Sequence, residues 1–403
     1  MQSASVSEEL AGRIAAAVDR DRVISLASKL LSIKSWEREG ESRVADFCAA
    51  YMEGLGLSVE VQDVPVTGSL RTRQAVGSLV GSKSGPNLLL CSHLDTVVPY
   101  RLELWTKQFG QVEDGWVYGT GGQKCGLAAM LEAVRVVKET VDLKGSITMA
   151  CEAEEMTGGL GIERILEKGP APDFAIVGED SDLELTTTAV AGIFGTIEIE
   201  GRPDKPKGVG INALRKMLEL LKNVRAFETT PQGDWMTFQP HPEMPGLPRF
   251  GLVSISIDPQ EYPFRTKILF DCRIVPGQDQ ETIRRDLEAV IQRMKASEPG
   301  LSVELKIPAP GWYNRVPFVM AKGAPMVNMV ASWHERVVGR KPFIGAGKRL
   351  GFASDANNLV ARGIPCVNYG PGDFEQAIDE RKKIEDIVAA AKVYALSAAE
   401  LCG

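Results

Sequence analysis

Apolar positions along the chain follow two rhythms, one near 3.6 residues and one of two residues. Leu10, Ile14 and Val18, then Val23, Ile24, Leu26, Leu30 and Leu31, recur at helical spacing, and Glu41 to Leu55 forms a second helix ended by Gly54 and Gly56. The stretch Ser58-Val-Glu-Val-Gln-Asp-Val alternates and predicts a strand with one wet face. Ala75 to Val80 and Asn87 to Cys91 read as further strands, the latter apolar enough to be covered on both sides. Gly126 to Thr140 predicts an amphipathic helix, Ser146 to Cys151 a strand, Gly161 to Glu167 a helix and Phe174 to Val177 a buried strand. Strands alternating with helices imply an α/β class with a mostly parallel sheet covered by helices.

Around residue 187 the rhythm changes. A strand at Gly192 to Glu200, a helix at Gly210 to Arg225, strands at Phe250 to Asp258 and Arg265 to Val275, a helix at Glu281 to Ser297 and a strand at Leu301 to Lys306 follow one another. That order, β-α-β-β-α-β, is the split βαβ unit of a small α+β domain. The α/β pattern resumes after Pro308, with helices at Pro325 to Val337, Asn357 to Ala361 and Ile384 to Leu401 and a strand at Pro365 to Tyr369. The expected organisation is therefore an α/β domain over 1–186 and 308–403, interrupted by an inserted domain over 187–307. A length of 403 residues suits two domains better than one core. A net charge of −7 argues against nucleic acid or an anionic membrane as partner. No run approaches a membrane span, and seven cysteines scattered singly fit a reducing cytoplasm.

Histidine is scarce, with His93, His241 and His334 alone in the chain. His93 and Asp95 follow directly on the strand from Asn87, where open α/β sheets place their ligands. A neutral imidazole with a carboxylate to orient it is what a metal site requires. Other polar residues gather in Tyr118-Gly-Thr-Gly-Gly-Gln-Lys-Cys-Gly126, Ala153-Glu-Glu-Met-Thr-Gly-Gly159, Gly178-Glu-Asp-Ser181 and Gly370-Pro-Gly-Asp-Phe-Glu-Gln-Ala-Ile-Asp-Glu380. The adjacent carboxylates Glu154 and Glu155 would repel, raising one pKa toward that of a general acid or base. Cys125 stands at a predicted helix start beside Lys124, a setting that lowers thiol pKa, although most free cysteines only pack.

In order and spacing these stretches resemble the M20 family of zinc amidohydrolases, whose members include acetylornithine deacetylase and succinyl-diaminopimelate desuccinylase. The resemblance runs from about Ile24 through the inserted domain to the C-terminus. It includes Trp105-Thr-x-x-Phe109, Gly210-Ile-Asn-Ala213, Arg273-Ile-Val-Pro-Gly-Gln-Asp279, Ser354-Asp-Ala356 and Gly363-Ile-Pro-x-Val-Asn-x-Gly-Pro-Gly372. It implies His93 and Glu179 as ligands of one zinc ion, Glu155 as a ligand of a second, Asp95 as the carboxylate behind His93, and Glu154 as general base. It also implies substrate contacts from Arg273, whose planar guanidinium suits a carboxylate, and from Asn212 and Gln376. The inserted domain would act as a lid and join two copies into a homodimer.

Three positions depart from the family pattern. Gly122 stands where the family has the Asp that bridges both ions, two residues before Lys124. Gln376 stands where it has a C-terminal His ligand, with Glu375 beside it, and no His lies between Gly201 and Asn212. With zinc needing about four N, O or S ligands, one ion would keep Glu155 alone and the other His93 and Glu179. The reading is an enzyme without a metal cofactor, running acid–base chemistry with Glu154 and the His93–Asp95 pair on a small amide- or carboxylate-bearing metabolite. The alternatives are an amidohydrolase holding a single Zn, and a binding protein that kept only the scaffold.

Overall fold

The computed structural model describes residues 6–37, 39–66, 71–82, 85–203, 210–224, 241–245, 247–257, 264–347, 352–372 and 377–403. The chain divides into two compact units, one of Met1–Thr188, Met320–Arg349 and Ser354–Gly403, the other of Ala189–Val319 with Leu350–Ala353.

The first unit is a mixed α/β fold with a largely parallel central sheet. Among the described residues its sheet has eight strands, ordered Ser58–Pro65, Arg71–Val80, Ser146–Glu152, Asn87–His93, Phe174–Val177, Cys366–Asn368, Leu185–Thr186 and Ile344–Gly345. The two strands at the Ser58 edge run antiparallel to their neighbours. The four strands from Ser146–Glu152 to Cys366–Asn368 are mutually parallel. Asn87–His93 sits in the middle of these, so both its faces are covered, and six of its seven residues are buried. That is why its sequence is a run of leucines and not an alternation.

Helices close both faces. Arg20–Ser32 starts at Asp19, whose side chain accepts from the Asp21 and Arg22 N–H groups, and buries Val23, Leu26, Ala27, Leu30 and Leu31 along one stripe. The expected amphipathic helix at Gly126–Thr140 differs in two respects. It begins a turn earlier, at Gly122, because Gly121 takes a left-handed φ of 95° and turns the chain in one residue. It is also buried all round from Gly122 to Val137, since the helices Arg20–Ser32 and Ile384–Cys402 pack on it. Its polar residues are satisfied inside: Arg135 bonds Glu132 at 2.6 Å, and Lys124 donates to the Ile33 carbonyl at 2.9 Å.

The second unit has the β-α-β-β-α-β order. Its antiparallel sheet runs Arg249–Ile257, Arg265–Ile274, Ala191–Glu200, Ser302–Lys306. Alternate residues of Arg265–Ile274 are buried, and Ile268 and Phe270 share a core with Met217, Leu220 and Leu221 of the helix Ala213–Asn223 and with Ile283, Leu287 and Val290 of Gln280–Ser297. Among the described residues of the chain no helix is long and apolar enough to cross a membrane.

Candidate active site

Three neighbouring parallel strands end together and deliver most of the expected site. His93 closes its strand opposite Glu152, the last residue of the strand beside it, and Cys91 lies opposite Val177, just before Gly178-Glu179-Asp180. This is the carboxyl edge of a parallel sheet, where strand ends diverge and leave a crevice. His93 Nδ1 and Asp95 Oδ1 lie 2.9 Å apart. The imidazole is the donor, because a carboxylate offers only acceptors. Asp95 also accepts from the Met156 N–H at 2.9 Å and the Glu155 N–H at 3.3 Å, so one carboxylate ties the His93 ring to the Glu154–Met156 turn. On the other side His93 Nε2 is 3.6 Å from Glu179 Oε1. Burial alone would lower the His93 pKa, but the charges of Glu179 and Asp95 and the Asp95 hydrogen bond raise it well above the ordinary value. Asp95 is held below its usual range: burial works upward, and the His93 bond and charge outweigh it.

Glu154 follows at the next turn, with a left-handed φ of 62° that a non-glycine residue adopts only under constraint. Its Oε2 accepts from the Thr157 hydroxyl at 2.7 Å. Burial pushes its carboxyl pKa up; the Thr157 bond works against this and the Asp95 charge adds to it. A cavity of about 540 Å³ opens beside it, lined among others by Trp36, Glu41, Thr72, Asp95 and Thr157. Glu41 is pushed up to about 9, first by burial and then by the charges of Asp95 and Glu154. Sequence reasoning passed over Glu41, which looks like an ordinary acidic residue in the first turn of a helix.

The Gly122 end of the site is occupied differently. A β-carbon built on Gly122 would stand 2.0 Å from Asp180 Oδ1 and 2.8 Å from Lys382 Cε. Lys382 Nζ is 3.0 Å from Glu380 Oε1, and these side chains are 1% and 4% exposed. Asp379 fixes the approach, accepting from Thr106 N–H at 2.8 Å, the Thr106 hydroxyl at 2.6 Å and Lys107 N–H at 2.9 Å. Burial would lower the Lys382 pKa, but Asp180 and Glu380 raise it, so the ammonium stays charged. Asp180 and Lys382 were not singled out from the sequence. Arg381-Lys382-Lys383 forms a strand, and a period of two turns the middle lysine inward.

The remaining expected residues fall as follows. Glu155 is buried and its charge bears on His93. The Cys125 thiol is pushed up to about 12 by burial, which overrides its helix-terminal position. Burial lowers Lys124 to about 7, and its Nζ is already spent on the Ile33 carbonyl and on Ser35 Oγ at 3.2 Å. In the second unit Arg273 pairs with Asp271 at 2.7 Å and lies over the Phe194 ring, while Asn212 caps the helix Ala213–Asn223 by accepting from the Arg215 N–H. Glu375 and Gln376 lie outside the described residues.

The described residues alone do not assemble a dinuclear zinc centre. Two atoms about 2 Å from one tetrahedral ion lie about 3.3 Å apart, which the His93–Glu179 spacing approaches. No third donor joins them: among the described residues no three His, Cys, Asp or Glu side chains are grouped to hold a metal ion. A side chain at residue 122 would have to displace the ends of the Asp180 and Lys382 side chains.

Residues 89–400 match the family described as peptidase family M20/M25/M40. The chain belongs to that family. It is 24% identical over 414 residues to the N-formyl-4-amino-5-aminomethyl-2-methylpyrimidine deformylase of Bacillus subtilis (strain 168), covering 93% of each chain. It is 27% identical over 351 residues to the acetylornithine deacetylase of Proteus mirabilis (strain HI4320), covering 84% of each. Among solved structures it is similar in fold to a di-peptidase of Saccharomyces cerevisiae, with a TM-score of 0.75 at 15% identity over 97% of this chain and 98% of that one. An M20 metallo-carboxypeptidase of Sulfolobus solfataricus superposes with a TM-score of 0.72 at 16% identity, covering 94% and 98%.

Proposed function

We propose that this M20-fold protein is an enzyme whose dinuclear zinc site has been dismantled and whose chemistry is metal-independent acid–base catalysis on a small amide- or carboxylate-bearing metabolite. The observation that carries the reading is Gly122: it offers no bridging carboxylate, and a side chain built there would meet the ends of Asp180 and Lys382. Glu154, raised by burial and opening on the cavity, is the group that takes and returns a proton. The His93–Asp95 pair is charged and fixed, suited to stabilising negative charge that develops on the substrate. Reactions that need only these parts are cyclisation, condensation and lyase-type proton transfer. Arg273, Asn212 and Gln376 are the substrate contacts that the family resemblance proposes.

The 3.6 Å approach of His93 Nε2 to Glu179 favours a second reading, a hydrolase holding one ion on that pair. Metal analysis of the purified protein separates them. The first reading expects substoichiometric zinc; about one zinc per chain defeats it and establishes the second.

We place the protein in the cytoplasm as a homodimer formed through the second unit. The seven cysteines are all free and buried, and Leu218, Val253 and Ile255 expose apolar surface on the helix Ala213–Asn223 and the outer strand Arg249–Ile257.

A further inference from the structure

Lys382 is fully buried although its neighbours Arg381 and Lys383 reach solvent. The strand holding it pairs with Trp116–Tyr118, with Lys382 opposite Val117. Its ammonium lies 3.0 Å from Glu380, and its stem flanks the same point beside Gly122 that Asp180 Oδ1 approaches to 2.0 Å. Asp180 is 3% exposed. A cation this deep persists only where carboxylates surround it, and carboxylates this deep need a cation. Both conditions are met by one side chain, at the point where the family pattern brings in a bridging Asp.

We propose that the Lys382 ammonium stands in for a metal ion's charge at this end of the site, and that with Asp180 and Glu380 it closes the space to a divalent ion. The assignment rests on the metal-free reading above. A divalent ion entering here would meet a like charge that cannot leave, because the lysine stem is enclosed. Restoring the missing carboxylate would therefore not restore a metal centre unless the lysine is removed as well. With both changes the chain would offer His93, Glu179 and an aspartate at residue 122, as many side chains as a zinc with one open position uses.

The test uses the full chain as wild type, Gly122→Asp, and Gly122→Asp/Lys382→Val, each incubated with zinc, freed of excess and measured for zinc content and Tm. The expected result is substoichiometric zinc in the first two, about one zinc per chain in the double variant, and a zinc-dependent rise in Tm of several degrees in the double variant alone. Equal zinc in Gly122→Asp and the double variant, with the wild type empty, overturns the lysine assignment alone. Stoichiometric zinc in the wild type overturns the metal-free reading beneath it. Should the double variant not fold, Lys382→Met decides by stability. It is expected to lower Tm by on the order of 5–10 °C, and adding Glu380→Gln should recover at least half of that. An unchanged Tm in Lys382→Met overturns the assignment.

Discussion

Replacing Asp95 by Asn keeps the size of the side chain and removes its charge, which isolates what that carboxylate does. Asp95 accepts three hydrogen bonds, from His93 Nδ1–H and from the N–H groups of Glu155 and Met156. An amide has one oxygen. If that oxygen keeps Met156, the NH₂ group faces the Glu155 N–H and the imidazole, both donors. The Glu155 bond is then lost, and the His93 ring, protonated on both nitrogens beside Asp95, gives up its Nδ1 proton and keeps the one on Nε2, toward Glu179. Two bonds to a charged acceptor, each worth about 1.5–3 kcal/mol, are lost or weakened. A destabilisation of about 3–5 kcal/mol follows, which lowers Tm by on the order of 10 °C for a domain of this size. Thermal unfolding measures the stability, and ¹⁵N-edited NMR of the imidazoles reads the tautomer, with three histidines to assign. A variant that melts within a degree of wild type and keeps the Nδ1 proton would refute the view that Asp95 ties the ring to the Glu154–Met156 turn.

Other consequences can be checked directly. Glu154→Gln should leave Tm within about 2 °C and reduce turnover of any substrate found by ligand screening by at least about 100-fold; unchanged turnover removes Glu154 from the chemistry. His334 is buried, its Nδ1 is 2.9 Å from the Tyr369 hydroxyl, and burial with the Arg340 charge lowers its pKa from 6.5 to about 4. Its folded pKa lies below the unfolded value, so the stability it contributes is present above pH 6.5 and is lost as pH falls toward 4. The contribution is about 3 kcal/mol, and urea midpoints should show wild type losing that much more than His334→Gln across the window. Cys125, with its thiol pushed up to about 12, should resist alkylation in the native protein at neutral pH and react only after unfolding, as read by mass spectrometry.

Much of the fold was legible because its segments are locally consistent. The leucine run before His93 could only be a covered strand, and the inward positions of Arg265–Ile274 repeat at a clean period of two. Helix starts were less legible where glycine replaces a side-chain cap. Gly121-Gly122 reads as a turn, whereas Gly122 already begins the helix. The His93–Asp95 and Glu154–Glu155 pairs stand out in sequence because chemistry-bearing residues crowd a strand end. Lys382 does not, because burial of a charge depends on partners distant in the chain. Neither Asp180 nor the three-residue run around Lys382 signals the other, and the pairing becomes visible only when the strand Arg381–Lys383 is laid beside Trp116–Tyr118. Glu41 escaped for the same reason: its neighbours Asp95 and Glu154 lie on other elements.

The join between Asp180 and Lys382 also orders events during synthesis. A ribosome translates His93, Asp180 and three of the four parallel strands long before it reaches Lys382. Until then the nascent chain carries a carboxylate destined for the interior without the ammonium that belongs beside it. The growing protein can lay down its strands, but the crevice at their ends stays wet until that late lysine strand docks against Trp116–Tyr118. The strand that carries Lys382 thus seals a pocket that strands made much earlier began, which makes closure of the site a late step in the assembly of this unit.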